Sequence, residues 1–382
     1  MRPLKIVTIF GILAIAACEN GPSHGKIVVC SVAAEPSLGF FKASGNRFEI
    51  ESVDLNLCTH LTYAYMDASK KPWDSMDSFK EANYKQLADL RKKYPHLKVS
   101  LGIIQSSDEH FKMATGRETR KAFIDTALNF TLAHGFNGLE LTWSFDNDQP
   151  FANERFAKYA AVLMEKFQSH NLLLTSMFVK MKMGPSQPHD LLAFSKYFDF
   201  MLIAPNYIDG LIRMGVASSK IVIKTEFMGR GRISPDSIHK TLGYNEVCEM
   251  LSSNGESKWV QYYDHEVKAK IAKRENGIGK QMDVIVFPSS RTIANEMRYF
   301  VRRELAGALA YTLNVDDYLG KCGMDDDTFN DFRTISGVTL KIPMRHNTTF
   351  PLLRTMNDAI LVAIDEFTQE TNIMQQPHYF RF

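Results

Sequence analysis

The 382-residue sequence predicts an α/β fold, a (β/α)8 TIM barrel with a small α+β insertion domain between its seventh strand and seventh helix. Two observations support this prediction. Short, nearly continuous apolar segments recur eight times, as expected for parallel strands that are covered on both faces. Amphipathic segments with a helical period separate several of them, and this alternation produces a parallel sheet. A doubly wound open sheet is the alternative, which the count of eight disfavours.

The apolar segments predict the strands in chain order: KIVVCSVA, CTHLTYAYM, LKVSLGII, NGLELTW, LLLTSMFV, FDFMLIAP, KIVIKTEF and LAGALAYTL. Helical periods include NYKQLADLRKKYP, ETRKAFIDTALNFTLAHG and ERFAKYAAVLMEKFQSHN. The second of these helices is expected to end at Gly135, a natural C-cap. About sixty residues follow the seventh strand before the helix SRTIANEMRYFVRREL, and a connection that long is usually a module of its own. We therefore predict a barrel of residues 24–228 and 289–382, with an insertion domain of residues 229–288.

The N-terminus predicts a signal peptide, residues 1–20, and hence a secreted, extracellular protein. Arg2 and Lys5 precede an apolar run from Ile6 to Cys18 that ends in small residues and is too short to span a bilayer. A buried first strand is one alternative. A lipoprotein in which Cys18 becomes the lipidated first residue is another. No later segment is long and apolar enough to cross a membrane.

The charges are balanced, with 45 basic and 43 acidic residues that are interspersed along the chain. This balance provides no electrostatic footprint for nucleic acid or for a membrane surface, so neither is predicted as a partner. The acidic run in GMDDDTFND lacks the spacing of a calcium loop, and no two cysteines have the spacing of a zinc site. The sequence therefore predicts no metal site and no cofactor. We also expect the protein to be a monomer.

Four cysteines remain after removal of the signal peptide, namely Cys30, Cys58, Cys248 and Cys322. Export makes disulfide bonds the expected state, but four cysteines allow three pairings and the spacing does not choose among them. Two sequons, at Asn129 and Asn347, predict glycosylation. The alternative is that each is an unused tripeptide, in particular at Asn129, which falls within a predicted helix.

Six segments act as landmarks: LCTHLTYAYM, GFNGLELTWSF, YFDFMLIAPNY, IVIKTEFMGR, LGYNEVCEM and AYTLNVDDYLGKCG. Together they resemble successive segments of glycoside hydrolase family 18, the chitinases and chitinase-like proteins. The resemblance extends from about Lys26 to the final helix, and the insertion falls where that family has its chitinase insertion domain. It implies that Cys30 pairs with Cys58 and that Cys248 pairs with Cys322.

The family's catalytic pattern is degenerate in this chain. Active members carry Asp-x-x-Asp-x-Asp-x-Glu, in which the Glu protonates the glycosidic oxygen and the preceding Asp orients the substrate's acetamido group. The matching positions here are Asn137, Glu140, Thr142 and Ser144. A serine hydroxyl cannot serve as general acid near neutral pH, and losing that acid costs roughly 10²–10⁴ in rate. No catalytic residue is therefore predicted, and Glu140, about 13 Å deeper along the strand, is expected to bond polar groups inside the barrel.

Other family motifs are altered as well. The sixth-strand motif Met-x-Tyr-Asp is matched by Ala204, Pro205, Asn206 and Tyr207, and the third-strand motif Gly-Gly-Trp by Ile104, Gln105 and Ser106. Met228 and Tyr311 stand where the family has sugar-binding aromatic residues. Because sugar rings are held largely by aromatic and apolar faces, we expect weakened binding in the groove. The remaining candidates for ligand contact are Tyr65, Trp143, Tyr207, Arg230 and Tyr311. For Tyr65, Trp143 and Tyr311 the alternative is packing at the barrel mouth. For Arg230 it is a structural role, paired with Glu226 or with a carbonyl.

The sequence therefore predicts a secreted, catalytically inactive chitinase-like protein that acts by binding. The expected ligand is chitin or another glycan that contains N-acetylglucosamine, or else a cell-surface protein, in a growth-factor-like or immune role. A weakly active hydrolase that uses Glu140 or Asp146 as its acid is the main alternative. A structural protein that docks through its insertion domain is a third hypothesis.

Overall fold

The computed structural model describes residues 21–33, 48–67, 78–104, 112–144, 152–180, 191–233, 240–252, 258–275, 282–322 and 348–374. Its strands are β1 (Ile27–Ala33), β2 (His60–Asp67), β3 (Lys98–Ile104), β4 (Gly138–Ser144), β5 (Leu173–Lys180), β6 (Met201–Ile203), β7 (Ile221–Glu226), β8 (Met228–Arg232), β9 (Lys240–Gly243), β10 (Val260–Asp264), β11 (Ala269–Glu275), β12 (Met282–Phe287) and β13 (Gly307–Tyr311). Its α-helices are α1 (Ser78–Lys93), α2 (Arg117–Ala133), α3 (Ala152–Gln168), α4 (Leu191–Ser195), α5 (Pro205–Arg213), α6 (Tyr244–Ser252), α7 (Ser290–Arg302) and α8 (Pro351–Met374).

Eight parallel strands form a closed barrel in the order β1-β13-β7-β6-β5-β4-β3-β2. The pairing of β1 with β13, from Ile27 opposite Gly307 onward, closes the ring. This topology confirms the predicted (β/α)8 barrel. A second sheet of five strands, in the order β10-β11-β12-β8-β9, lies in the chain between β7 and α7. Its neighbouring strands run antiparallel, and its place in the chain is consistent with an insertion domain.

Strand alternation divides each barrel strand between two environments. In β4, Leu139, Leu141 and Trp143 belong to the core between the barrel and its helices. Glu140 and Thr142 point the other way, into the barrel, because successive side chains of a strand lie on opposite faces. The interior is filled in part by a separate apolar cluster, which includes Val29, Met177, Leu202, Val222 and Leu309.

Helix α2 ends as the sequence predicts. His134 follows the last helical residue, and Gly135 has a φ of 67°, the left-handed conformation that glycine adopts without a Cβ penalty. The sixth strand is shorter than its apolar segment, because Pro205 begins α5 only two residues after Ile203. Proline favours the first turn of a helix and has no N–H to donate to a strand.

Two disulfide bonds join Cys30 to Cys58 and Cys248 to Cys322. Both pairings implied by the family resemblance are therefore confirmed. The first links β1 to the segment that precedes β2. The second links α6, beside the second sheet, to the segment that follows β13.

Several predicted features lie outside the described residues, namely the signal peptide (1–20), Gln105, Ser106, Asp146 and Asn347. Asn129 lies on the exposed side of α2, whereas the Thr131 hydroxyl of its sequon is buried and donates to the Ala127 carbonyl at 2.7 Å. Within the described residues, no helix has both the length and the apolar character that a membrane span requires.

Candidate functional site at the carboxyl end of the barrel

The fourth strand places one carboxylate deep inside the barrel. Glu140 is 1% exposed, and its two oxygens accept hydrogen bonds from Thr62 Oγ1 at 2.8 Å and from the Tyr65 hydroxyl at 3.0 Å. Burial raises the pKa of Glu140 to about 7, and these two hydrogen bonds oppose the rise because they favour the carboxylate. This arrangement confirms the expectation that Glu140 bonds polar groups inside the barrel.

Space for this contact depends on a small residue in the neighbouring strand. Gly102 lies opposite Glu140 in the register of β3 with β4. A Cβ at Gly102 would lie 2.9 Å from Cδ1 of Tyr65, closer than packed atoms approach. The glycine therefore lets the Tyr65 ring reach the barrel interior and bond the carboxylate. Burial, followed by the charge of Glu140, raises the pKa of Tyr65 well above its usual value.

Thr142 and Ser144 follow Glu140 toward the carboxyl end of β4. Thr142 is 2% exposed and lies opposite Ile104 of β3 and Met177 of β5. Ser144 is the last residue of the strand, so its backbone lies where β4 reaches the mouth. Neither residue carries an ionisable group. At these two positions the strand therefore supplies hydroxyl groups and no proton donor of near-neutral pKa.

A lysine occupies the mouth between β7 and β13. Lys224 Nζ lies 4.3 Å from the centroid of the Tyr311 ring and 2.8 Å from Glu226 Oε1. Arg230 Nη2 lies 3.7 Å from the other oxygen of Glu226, the pair anticipated as the structural alternative for Arg230. Burial and the nearby carboxylates Glu226 and Glu140 raise the pKa of Tyr311 to about 12. Because the ammonium covers one face of the Tyr311 ring, that face cannot stack on a sugar.

Comparison with known proteins shows the family to which this chain belongs. Residues 37–316 match the family model described as glycosyl hydrolases family 18. The chain belongs to this family. It is 29% identical to the probable chitinase 2 of Drosophila melanogaster over an alignment that covers 92% of this chain and 84% of the relative.

Solved structures agree on the fold of this family 18 chain. The Group IV chitinase of Ostrinia furnacalis superposes with a TM-score of 0.69 at 22% identity, covering 88% of this chain and all of that one. Human YKL-39, described as a pseudo-chitinase with retained chitooligosaccharide binding properties, superposes with a TM-score of 0.67 at 17% identity, covering 88% of this chain and 99% of its own.

The structure contradicts the prediction that Trp143 contacts a ligand. This family 18 chain buries Trp143 to 1% exposure on the outer side of the barrel, against the helices. The ring centroid of Trp143 lies 4.9 Å from that of Phe194 and 5.7 Å from those of Phe156 and Tyr159. Trp143 has the parity of Leu139 and Leu141, so strand alternation turns it away from the barrel interior.

Two other predicted site residues lie away from the barrel interior. Asn137 precedes β4 and accepts a hydrogen bond from the backbone N–H of Val99 at 2.9 Å, at the amino end of the barrel strands. Tyr207 lies in the first turn of α5, half-buried against the core that surrounds the barrel. Whether Tyr207 contacts a ligand stays a prediction, as it does for Tyr65, Arg230 and Tyr311.

Sequence reasoning missed two residues of the site, Thr62 and Lys224. The signal for Lys224 was present, since a lysine in the middle of the apolar segment KIVIKTEF requires a partner when the strand is buried. The signal for Thr62 was weaker, because threonine is common in strands and needs no charged partner.

Proposed function

We propose that this chain is a chitinase-like protein of family 18 that binds its ligand without hydrolysing it. The observation that carries the proposal is the end of β4, where Thr142 and Ser144 replace the two acidic residues of the family's catalytic pattern. Without an acid of suitable pKa at the scissile bond, the leaving oxygen cannot be protonated. Thr142 likewise offers no negative charge to stabilise a cationic intermediate.

Glu140 is a poor replacement for the missing acid. Its side chain is 1% exposed, and each of its oxygens already accepts a hydrogen bond, one from the Thr62 hydroxyl and one from the Tyr65 hydroxyl. A general acid must come within hydrogen-bond distance of the oxygen that it protonates. Glu140 lies deeper in the barrel than Thr142, so its carboxyl group does not come within hydrogen-bond distance of a sugar at the mouth.

We further propose that the ligand is a chitin-type glycan and that the protein works outside the cell. The solved pseudo-chitinase YKL-39 is described as retaining chitooligosaccharide binding, which supports a glycan ligand on the same fold. The two disulfide bonds support an oxidising compartment. A cell-surface protein partner, in a growth-factor-like or immune role, is the alternative ligand and is consistent with the covered face of Tyr311.

The decisive experiment is a turnover assay with N-acetylchitohexaose, with an active family 18 chitinase as positive control. We expect no sugar release from the wild-type protein at any pH from 4 to 9. We expect none from Thr142→Asp combined with Ser144→Glu, because the third-strand and sixth-strand partners are also altered. Hydrolysis by that double variant would show that those other partners are dispensable.

A divergent hydrolase is the second candidate function, because the pKa of Glu140 near 7 falls in the range that suits a general acid. It predicts wild-type activity with a bell-shaped pH profile that Glu140→Gln or Asp146→Asn abolishes. Activity of that kind would replace the proposal. A glycan array, read beside a pull-down on insoluble chitin, tests binding separately from turnover, and retention of neither glycan would favour the protein partner.

A further inference from the structure

The outer edge of β10 is unpaired among the strands that the structure describes. The second sheet has the order β10-β11-β12-β8-β9, so β10 forms one border of it. β10 pairs with β11 in a continuous antiparallel register, from Val260 opposite Lys273 to Asp264 opposite Ala269. The backbone N–H and C=O groups of β10 that point away from β11 therefore face no described strand. Such an edge is a template for another strand unless the sequence protects it.

The sequence of β10 lacks the usual protection of an edge strand. Natural sheets protect their edges with charged residues, with proline or with a bulge. The run from Trp259 to Tyr263 contains no charge and no proline, and its register with β11 is unbroken. The opposite border of the sheet, β9, is only 4 residues long, begins with Lys240 and leads directly into α6. A strand from another molecule is therefore expected at β10 rather than at β9.

The two faces of β10 differ in exposure. Tyr263 points toward α7, where its hydroxyl accepts a hydrogen bond from Asn295 Nδ2 at 3.0 Å. Val260 and Tyr262 lie on the opposite face, because successive side chains of a strand alternate, and they are 66% and 39% exposed. Lys273 of β11 lies beside them, with its Nζ 5.1 Å from the centroid of the Tyr262 ring. A strand added at the outer edge would therefore cover two exposed apolar side chains.

The sequence of β10 is complementary to a second copy of itself. In an antiparallel pair centred on Gln261, that residue faces its own copy, and Val260 faces Tyr262 of the partner subunit. In the same register Lys258 faces Asp264 of the partner subunit. Cross-strand pairs of opposite charge, and of an aromatic with a β-branched residue, stabilise antiparallel sheets. Two-fold symmetry repeats each of these favourable pairs, so the arrangement is closed and self-complementary.

The two charged residues are available for this pairing. Lys258 is exposed and has no ion-pair partner among the described residues. Asp264 Oδ1 accepts from the backbone N–H groups of Glu266 at 2.9 Å and Val267 at 3.0 Å, which orients the carboxylate at the end of the strand. We propose that β10 joins two copies of this chain into a symmetric dimer whose second sheets are continuous. This dimer replaces the monomer expected from the sequence, and it depends neither on glycan binding nor on the loss of hydrolysis.

Sedimentation equilibrium of the full chain tests for the dimer. One pair of short strands buries little surface, so we expect a weak dimer whose average mass rises between about 1 μM and about 1 mM protein. Lys258→Glu places like charges opposite each other at both ends of the pair and should raise the dissociation constant about tenfold. Lys240→Glu makes the same change of charge on β9, at the other border of the sheet, and should leave the dimer unchanged. A protein that stays monomeric over this whole range would overturn the proposal.

Cysteine substitutions at exposed positions test the register. Residues that face each other in an antiparallel pair have Cα atoms about 4.5–5.5 Å apart, a separation that a disulfide bond spans. We expect Gln261→Cys to form a disulfide-linked dimer under mild oxidation. An equimolar mixture of Val260→Cys and Tyr262→Cys should form the mixed dimer in preference to either homodimer. Thr241→Cys, exposed on β9, is the control and should stay monomeric. A dimer in which Gln261→Cys crosslinks no better than this control would have a different interface, and the proposal would fail while the proposed function stands.

Discussion

Glu140 places a carboxyl group in the fourth barrel strand, where it belongs to a buried polar network. Thr62 and Tyr65 use both of its oxygens, and Gly102 makes room for the tyrosine. The side chain therefore joins β2 to β4 across the barrel interior. A buried polar network of this kind is costly to disturb, because a partner left alone loses its hydrogen bond and stays out of water.

The pKa of Glu140 makes stability depend on pH. In the folded state burial raises the pKa from 4.5 to about 7, so between these values the folded chain holds a proton that the unfolded chain has released. The contribution of protonated Glu140 to the free energy of unfolding is fully present below pH 4.5 and is lost as the pH rises through about 7. We expect the free energy of unfolding of the wild type to fall between pH 4.5 and pH 8. In Glu140→Gln this fall should be smaller by about 3 kcal/mol, and urea unfolding at the two pH values measures it. An equal loss in both proteins would contradict the assignment.

Trp143 provides a test of the corrected side-chain orientation. Its ring fills the space between β4 and α3, against Phe156, Tyr159 and Phe194. Trp143→Ala should lower the free energy of unfolding by about 3–5 kcal/mol, because it leaves a cavity in this aromatic core. Any glycan binding should be unchanged under conditions where the variant is folded. Loss of glycan binding in a fully folded Trp143→Ala variant would show that Trp143 does contact the ligand.

Single residues show what the sequence can predict of the site. The match of Ser144 to the acid of the family's catalytic pattern comes from the sequence alone, and so does the expected depth of Glu140. The parity of Trp143 with Leu139 and Leu141 was also visible, and counting it would have corrected that prediction. The contact of the Lys224 ammonium with the Tyr311 ring could not be predicted, because it joins two strands that are far apart in the sequence.

Among the elements, α8 depends on a carboxylate from a distant segment. Asp316, just after β13, accepts from the backbone N–H groups of Leu352 at 3.3 Å and Leu353 at 3.0 Å. These are first-turn donors of α8 that have no partner within the helix. Asp316 thereby acts as a cap from outside the helix and fixes its position against the barrel.

Removal of this cap should destabilise α8 locally. We expect Asp316→Ala to lower the free energy of unfolding by about 1–2 kcal/mol, the usual effect of losing a capping carboxylate. The amide protons of Leu352 and Leu353 should exchange faster, whereas those of α2 should not change. Unaltered exchange at both leucines would show that the backbone groups find other partners.

Element boundaries followed from local chemistry where a strong signal existed. Gly135 marked the end of α2, and the apolar segments marked the strands. The early end of β6 was missed, although Pro205 is a direct signal for a helix start. The short α5 that follows borders a cleft of about 1060 Å³, together with β7 and α7. No single segment could reveal this cleft, because the elements that line it are distant in sequence.

In the whole molecule, one disulfide joins the second sheet region to the barrel. Cys248 and Cys322 are 74 residues apart, and Cys30 and Cys58 are 28 apart. Linking more distant residues restricts the unfolded chain more, although slowly with length. The fold class could be predicted because strands and helices alternate along much of the chain. The closure of the ring had no local signal, because it pairs the first barrel strand with the last.

Replacing both cysteines of a pair by serine should measure these two links. From chain entropy, we expect a loss of about 4 kcal/mol for the Cys248–Cys322 pair and slightly less for the Cys30–Cys58 pair. Urea unfolding of each double variant provides the comparison, with the oxidised wild type as reference. A much smaller loss for the first pair would indicate that the second sheet region is held by packing alone.

The seam between β1 and β13 sets an order for events during synthesis. The first strand leaves the ribosome early and finds β2 soon afterwards, but its other edge has no partner until the last barrel strand has been made. An unpaired strand edge is a template for association with other chains. The Cys30–Cys58 bond can form while that edge is still open, whereas Cys322 emerges only after the ring is able to close. Slow translation between β2 and β13 would therefore prolong the period in which nascent chains can aggregate.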